Sequence, residues 1–447
     1  MRCVALQTRP WRAPAEVLSA FGEDAGTCAF LSGGGGERAR WSYVLRWPDE
    51  TAAAYGGWGR DPFAALAELL GERLPRHPDG PPFQGGVAGL AAYELGDRIE
   101  ALGLARHPDR WPDLTLMRFP ALLAFDHAAR RVVAVGRGET DREAADRAGW
   151  AAEGMDAPAR SLFEGRLTAG FEARTAAEAY EAAVAQVVSR IHAGEIFQAN
   201  IARVWGGELA FGARPIDLLL RLAGESPAPF AGWMNLGDLA LVSNSPERFV
   251  TVDGSRDFRM ETRPIKGTRP RGRDPVEDRG LAEDLLASDK DRAENLMIVD
   301  LMRNDLARVS PAGSVQTPEL FAVESFANVH HLVSTVTARL AEGMGVVDLL
   351  KAAFPPGSVT GAPKVQAMRV ISELEPPRGP YCGSLFWAGF DGSFDSSVLI
   401  RTAAFARHDQ GWRVEARAGA GIVADSDPLA ERLETEAKIA ALARALA

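Results

Sequence analysis

The sequence predicts an α+β fold, in which strands and helices are grouped rather than regularly alternating. Segments with strand and helix patterns follow one another irregularly along the 447 residues, which disfavours a doubly wound parallel sheet. Hydrophobic residues make up 46% and charged residues 25%, as in an ordinary globular protein. A chain of this length can bury a large core, so its three widely separated cysteines are not needed as disulfides.

The N-terminal region, residues 1–145, predicts a mixture of strands, helix and loops. Residues 41–47 and 130–136 have strand patterns, residues 62–74 have a helical pattern, and the glycine run 33–36 predicts a hairpin loop. Residues 146–174, rich in Gly, Ala, Asp and Arg, are the predicted linker. A larger catalytic region, residues 175–447, is expected after it.

In this second region, Thr175 and Glu178 form a capping-box pattern that opens an amphipathic helix, and Gly194 is expected to end it. A turn is predicted at Ser245-Pro246, inside a strand pattern. The remaining elements are predicted as strands at 195–205, 239–252, 396–408 and 412–424, and helices at 281–309 and 428–447.

Charge and hydropathy exclude several classes of function. The net charge is −10, whereas a general nucleic-acid binder needs a basic face. No apolar run approaches the roughly 18 residues of a membrane span, and the N-terminus lacks the apolar segment of a secretory signal. We therefore expect a cytoplasmic enzyme with no nucleic-acid or membrane partner.

Lysine is rare in this chain. Only five of the 50 basic residues are lysine, so the retained lysines are enriched for positions where arginine would fail. Lysine can lose its proton and become a nucleophile, whereas arginine cannot. Lys266 lies in the turn-rich stretch 262–272, and we expect the arginines around it, at 263, 269, 271 and 273, to lower its pKa. An exposed basic loop is the alternative interpretation.

The final helix carries a candidate metal site. Glu431, Glu434 and Lys438 share one helix face, and with Glu294 from another helix the carboxylates would suit Mg²⁺, which prefers oxygen ligands. A solvated salt-bridge ladder explains the same spacing and is favoured by spacing alone. Near Gly421, the glycine-rich stretch 418–426 would let backbone N–H groups approach a carboxylate.

Taken together, these stretches resemble the chorismate-utilising enzyme family over nearly the whole chain. The motifs are GEIFQANIARVW (194–205), SNSPERF (243–249), RPIKGTRPRG (263–272), DRAENLMIVDLMRND (291–305), GSVTGAPK (357–364) and GAGIVADSDPLAERLETEAK (419–438). The resemblance implies large antiparallel sheets packed face to face with helices outside, and an active site between the two halves. Residues 31–33 match the tryptophan pocket of some relatives poorly, so no ligand is assigned there.

Two positions separate the reactions within this family. Lys266 stands where the subgroup that aminates chorismate at C4 has lysine and the anthranilate-forming subgroup has alanine. Gln198 stands where water-using relatives carry an activating lysine. The resemblance therefore implies conversion of chorismate and ammonia to 4-amino-4-deoxychorismate through a covalent Lys266 intermediate, in the para-aminobenzoate branch of folate biosynthesis. The alternatives are anthranilate formation and a non-enzymatic ligand sensor.

The resemblance also implies a role for individual residues. Glu247 is the general acid and base, Glu294 and Glu434 are Mg²⁺ ligands, and Glu431 acts through water. Residues expected to bind or line the substrate are Arg401, Tyr381, Gly421, Lys438, Thr360, Gly361, His331 and Gln198. No glutaminase motif is present, so a separate glutamine amidotransferase subunit is expected to supply the ammonia.

Overall fold

In the computed structural model, residues 1–33, 39–55, 61–326, 329–409 and 411–447 are described. Their strands are β1 (Cys3–Pro10), β2 (Cys28–Leu31), β3 (Trp41–Leu45), β4 (Glu50–Ala54), β5 (Gly86–Ala91), β6 (Leu114–Phe119), β7 (Ala121–Asp126), β8 (Arg131–Gly138), β9 (Thr168–Ala173), β10 (Gln198–Leu209), β11 (Phe230–Asn235), β12 (Leu239–Ser245), β13 (Arg248–Asp253), β14 (Arg259–Thr262), β15 (Ile265–Pro270), β16 (Gln316–Ser325), β17 (Val329–Arg339), β18 (Gly361–Ala362), β19 (Ser384–Gly389), β20 (Phe394–Val398), β21 (Thr402–His408) and β22 (Gly411–Ile422).

The described residues also form eleven α-helices. They are α1 (Pro14–Ser19), α2 (Pro62–Leu70), α3 (Asp97–Glu100), α4 (Asp141–Glu153), α5 (Ala177–His192), α6 (Pro215–Glu225), α7 (Pro275–Ala287), α8 (Asp289–Ala307), α9 (Val346–Ala353), α10 (Lys364–Leu374) and α11 (Pro428–Leu446).

Two antiparallel sheets form the centre of the fold. One has twelve strands in the order β1-β8-β7-β3-β2-β11-β12-β21-β22-β10-β18, with β9 beside β10. The other has ten, in the order β15-β17-β14-β13-β20-β19-β5-β6-β4, with β16 beside β17. Buried side chains from both sheets, including Tyr43, Phe119, Met234 and Trp387, form one shared apolar cluster. The predicted α+β fold with face-to-face antiparallel sheets is confirmed.

Further apolar clusters lie on the outer faces, where helices pack. Residues of α1, α6 and α11 cover the twelve-stranded sheet, and residues of α2, α8 and α9 cover the ten-stranded sheet. A fourth cluster joins α5 and α10 to β10 and β22. No helix in the described residues is long and apolar enough to cross a membrane.

Several local predictions need correction. Thr175 does not cap α5; its hydroxyl accepts the Val204 N–H (3.1 Å), so it joins the helix start to β10 instead. The helix expected over 281–309 is two helices, because Ser288 leaves the helical conformation and caps α8 by accepting the Asp291 N–H. The break predicted at Ser245-Pro246 is confirmed, since it separates β12 from β13.

The predicted domain boundaries stay a prediction. Residues 146–174 hold the end of α4 and all of β9, and β9 pairs with β10. Each of the two sheets contains strands from residues 1–145 and strands from residues 175–447. Backbone hydrogen bonds therefore connect the two regions within both sheets. The hairpin predicted at 33–36 lies outside the described residues, apart from Gly33.

Candidate active site

The floor of the candidate site is formed where β10 pairs with β22. Gln198 and Asn200 lie two residues apart on β10 and therefore project to the same face. A Cβ on Gly421 would come within 2.4 Å of Gln198 Nε2 and 3.2 Å of Lys266 Nζ, so a side chain there would displace the ends of both neighbouring side chains. The structure thus brings Gln198, Gly421 and Lys266 together, although they are far apart in sequence.

Two side chains of this floor carry buried polar atoms without hydrogen-bond partners. Both amide atoms of Gln198 and Oδ1 of Asn200 are in this condition. Asn200 Oδ1 and the Tyr381 hydroxyl both lie within 3 Å of the point that a Cβ on Gly419 would occupy. Because buried polar groups without partners are costly, these atoms are suited to bind a ligand. Asn200 was missed in the sequence analysis, and its position two residues after Gln198 was the available signal.

Lys266 lies in an irregular part of β15. The register with β17 shifts between Ile265 and Thr268, and Gly267 adopts a left-handed φ of 83°. Burial lowers the pKa of Lys266 and nearby Lys438 adds to this effect, whereas the carboxylates of Glu294 and Glu247 oppose it. A lowered pKa gives more of the neutral amine, which is the nucleophilic form.

The pKa of Lys266 is lowered as expected, but the expected cause was wrong. The flanking arginines are engaged elsewhere: Arg263 pairs with Glu319 and Glu324, Arg269 with Asp284 and Asp291, Arg271 with Asp278, and Arg273 with Glu277. Their charges are largely neutralised by these partners. Burial against the β10–β22 floor therefore replaces the arginines as the main cause.

Glu247 lies in the turn between β12 and β13. Its Oε1 accepts a hydrogen bond of 2.7 Å from the Ser358 hydroxyl, and both side chains are buried. Burial raises the pKa of Glu247, while the Ser358 hydrogen bond and the charges of Lys266, Lys438 and Arg401 oppose the rise. A carboxyl group with a raised pKa keeps its proton to a higher pH than an ordinary glutamate and can deliver it to a leaving group.

Arg401 and His331 lie on another side of the cluster. The Arg401 side chain is exposed to solvent, but partial desolvation still lowers its pKa, and Glu247 is the charge that opposes this effect. Burial and the Arg401 charge lower the pKa of His331 to about 4, so its ring is neutral at neutral pH. His331 Nδ1 is hydrogen-bonded to the Thr268 hydroxyl at 2.9 Å. Thr268 follows Lys266 by two residues on β15, so this bond fixes the ring close to the strand that carries Lys266.

Thr360 and Gly361 contact the start of β10, which forms part of the floor. The buried Thr360 hydroxyl donates to the Pro356 carbonyl (2.9 Å), and the Thr360 carbonyl accepts the Asn200 N–H (2.9 Å). Gly361 pairs with Ala199, and a Cβ there would come within 2.2 Å of the Gln198 carbonyl oxygen. These contacts hold the start of β10 in place.

The three predicted metal-binding carboxylates lie on α8 and α11. Glu431 accepts a hydrogen bond from Ser426 (2.7 Å), and Glu434 pairs with Lys438 (2.6 Å), whose Nζ also donates to the Gly419 carbonyl. Burial raises the pKa values of Glu294 and Glu431, and each is raised further by another carboxylate of the site. The Glu434–Lys438 pair of the predicted salt-bridge ladder is therefore present, and the charge of Glu431 reaches Glu294. The metal site itself stays a prediction.

The donor chemistry of these carboxylates fits Mg²⁺. In the described part of the chain, no group of three or more His, Cys, Asp or Glu side chains is arranged to hold a metal ion by itself. Mg²⁺ is usually held by one or two carboxylates and keeps waters or substrate oxygens in its remaining positions. The mutual repulsion of the carboxylates would be relieved by a cation, so the residues fit such a partly open site.

A separate cavity of about 500 Å³ lies between the two sheets. Leu31 and Ser32 line it together with Arg40, Trp387 and others, and it contains none of the predicted site residues.

The half-buried Lys266, the buried Glu247 and the glutamates of α8 and α11 form a candidate enzyme site within this two-sheet fold. The chain belongs to the chorismate binding enzyme family, because the family's sequence profile matches residues 27–444. It is therefore a chorismate-utilising enzyme.

Relatives of two kinds match this chain equally well. Anthranilate synthase component 1 of Thermus thermophilus is 42% identical over 391 residues, which are 87% of this chain and 83% of that protein. Aminodeoxychorismate synthase component 1 of Salmonella typhimurium is 42% identical over 384 residues, which are 85% of this chain and 81% of that protein. The crystal structure of anthranilate synthase component I from Streptococcus pneumoniae superposes with a TM-score of 0.80 at 29% identity, covering 91% of this chain and 93% of that one.

Proposed function

We propose that this chain is component I of an aminodeoxychorismate synthase, which converts chorismate and ammonia to 4-amino-4-deoxychorismate for para-aminobenzoate and folate biosynthesis. The observation that carries the proposal is Lys266, a lysine with a lowered pKa beside Gln198 and Gly421 in the site. Anthranilate synthase component I is the second candidate, favoured by the equal identity of the Thermus thermophilus relative. Lys266 argues against it, since that reaction needs no covalent nucleophile.

The site residues divide the work between binding and proton transfer. Arg401 and Tyr381 would bind the enolpyruvyl carboxylate, because a planar guanidinium suits a carboxylate. Lys438 and the backbone near Gly421 would bind the ring carboxylate. Glu247 would protonate the departing 4-hydroxyl, and the uncharged Gln198 leaves no lysine base to activate water.

Glu294, Glu431 and Glu434 would hold Mg²⁺. When bound, the ion would neutralise the ring carboxylate of chorismate beside these acidic groups. The neutral His331 adds no charge next to the ring. We also propose that the reaction takes place in the cytoplasm, where the three free cysteines would stay reduced.

Replacing Glu434 with glutamine should weaken Mg²⁺ binding by roughly tenfold or more, since even outer-shell changes at metal sites cost about that much. Activity at limiting Mg²⁺ should fall with it, while the fold stays intact. Isothermal titration with Mg²⁺ alone measures the binding directly. Glu436→Gln is the matched control, because Glu436 lies on the same helix but pairs with Arg203 and Arg432. Equal Mg²⁺ affinities in both variants would show that the α11 carboxylates form only surface salt bridges and do not bind the ion.

The chain by itself should use free ammonium but not glutamine. It should gain glutamine-dependent turnover when a cognate amidotransferase is added, because the sequence contains no glutaminase motif. Chorismate consumption with each nitrogen source, with and without the second protein, measures this. Glutamine-dependent turnover by this chain alone would contradict a separate partner.

The amination reaction itself can be tested with isotopically labelled ammonium. Incubation with chorismate, Mg²⁺ and the labelled salt should give a product whose mass contains one labelled nitrogen. An unlabelled hydroxylated isomer of chorismate as the product would instead assign water as the nucleophile and overturn the proposal.

A further inference from the structure

We infer that Ser358 is a positioning residue that selects which oxygen of Glu247 faces the substrate. This inference rests on the proposed role of Glu247 as proton donor. The Ser358 hydroxyl donates to Oε1 of Glu247 at 2.7 Å. No hydrogen bond from the described residues reaches Oε2, which leaves that oxygen for the reacting group.

The chemistry of a carboxyl group gives this contact a direct consequence. An oxygen that accepts the serine hydrogen bond is the carbonyl-like oxygen of the protonated acid, so the acidic proton is placed on Oε2. After the proton leaves, the same hydroxyl forms a charge-assisted hydrogen bond to the new carboxylate. Ser358 therefore both orients the acid and stabilises its conjugate base.

The segment that carries Ser358 is fixed on both sides. Before it, the Pro356 carbonyl accepts the Thr360 hydroxyl; after it, Lys364 Nζ donates to Asp305 Oδ2 (2.7 Å) and to the Ala353 carbonyl (2.6 Å). Burial raises the pKa of Asp305 to about 6, and the Lys364 charge opposes the rise. This buried pair ties the segment to α8, so the serine hydroxyl is held at a defined place beside Glu247.

Ser358→Ala should lower kcat for ammonium-dependent turnover by about 10- to 100-fold, the scale of a lost hydrogen bond to a charged group. KM for chorismate should change little, because the hydroxyl does not touch the substrate. The positive groups facing Glu247 are Lys266, Lys438 and Arg401, and they stay in place. Without the serine hydrogen bond the pKa of Glu247 rises further, so the alkaline limb of the pH–kcat profile should move to higher pH.

Ser358→Thr retains the hydroxyl, so its kcat and the alkaline limb of its pH–kcat profile should be close to those of the unmodified enzyme. Ser396→Ala is the matched control: it removes a buried serine hydroxyl that bonds the Val250 backbone, outside the site. Ser358→Ala could lose as much thermal stability as this control while the alkaline limb of its pH–kcat profile stays unchanged. In that case Ser358 has only a structural role. If Glu247→Gln also keeps full activity, the proposed role of Glu247 itself is wrong; if Glu247→Gln is inactive, only the inference about Ser358 fails.

Discussion

Lys266→Ala should lose 4-amino-4-deoxychorismate formation by roughly 10³-fold or more, because it removes the nucleophile of a two-step displacement. In the first step the Lys266 amine bonds to C2, the ring double bonds shift, and the C4–O bond breaks as Glu247 gives its proton to the leaving water. In the second step ammonia bonds to C4, the double bonds shift back and the C2–N bond breaks. The carboxylate of Glu247 then accepts the extra proton from the new amino group.

Without Lys266, ammonia retains only direct attack at C2, so the variant should form some 2-amino product. Chromatographic separation of the two products measures this partition. Lys266→Arg should also be inactive, since a guanidinium does not deprotonate to attack carbon. Lys351→Ala is a suitable control, because Lys351 lies on α9 and packs over the ring of Phe63 on α2. An unchanged rate of 4-amino product from Lys266→Ala would restrict Lys266 to electrostatic contact with the substrate.

Glu247→Gln should lower kcat by roughly 10²- to 10⁴-fold, the usual contribution of a general acid–base group. Glutamine keeps the shape of the side chain and can still accept the Ser358 hydrogen bond, but it has no acidic proton for the 4-hydroxyl. Binding of chorismate should remain close to normal, as measured by titration without ammonium. The variant should also fail to accumulate a covalent adduct on Lys266, because the hydroxyl cannot leave.

Glu208→Gln provides the control for Glu247, since Glu208 is an exposed residue of β10 outside the cluster. Mass spectrometry of enzyme quenched in the presence of chorismate and absence of ammonium detects the adduct. Its appearance in Glu247→Gln at the level of the unmodified enzyme would show that another group protonates the leaving hydroxyl.

Local patterns predicted much of the fold. The break at Ser245-Pro246, the helix end at Gly194 and the strands around Gly419 and Gly421 follow from short-range signals that tertiary structure left unchanged. Thr175 and Ser288 show the limit of such signals. A hydroxyl can cap a helix or bond a neighbouring strand, and only the packed structure decides, as the Thr175 bond to Val204 demonstrates.

Site residues could be predicted where a single sequence motif carries the signal. They could not be predicted where their role depends on contacts with residues distant in sequence. Lys266 stood out through its rarity, but its environment is made by burial against β10 and β22 rather than by its arginine neighbours. Ser358 and Asn200 lie inside the family motifs 357–364 and 194–205, where their residue types are not distinctive. Ser358 matters because it contacts Glu247, which is distant in sequence, so no local pattern indicates it. Asn200 has one local signal, its position two residues after Gln198, but its approach to Gly419 is a long-range contact.

The position of the new amino group tests the central claim most directly. The chain should be incubated with chorismate, Mg²⁺ and an ammonium salt, and the product analysed by ultraviolet and fluorescence spectra before and after treatment with aminodeoxychorismate lyase. We expect a product that becomes para-aminobenzoate only after the lyase step, which places nitrogen at C4. Fluorescent anthranilate formed without the lyase would place nitrogen at C2 and contradict the proposed function.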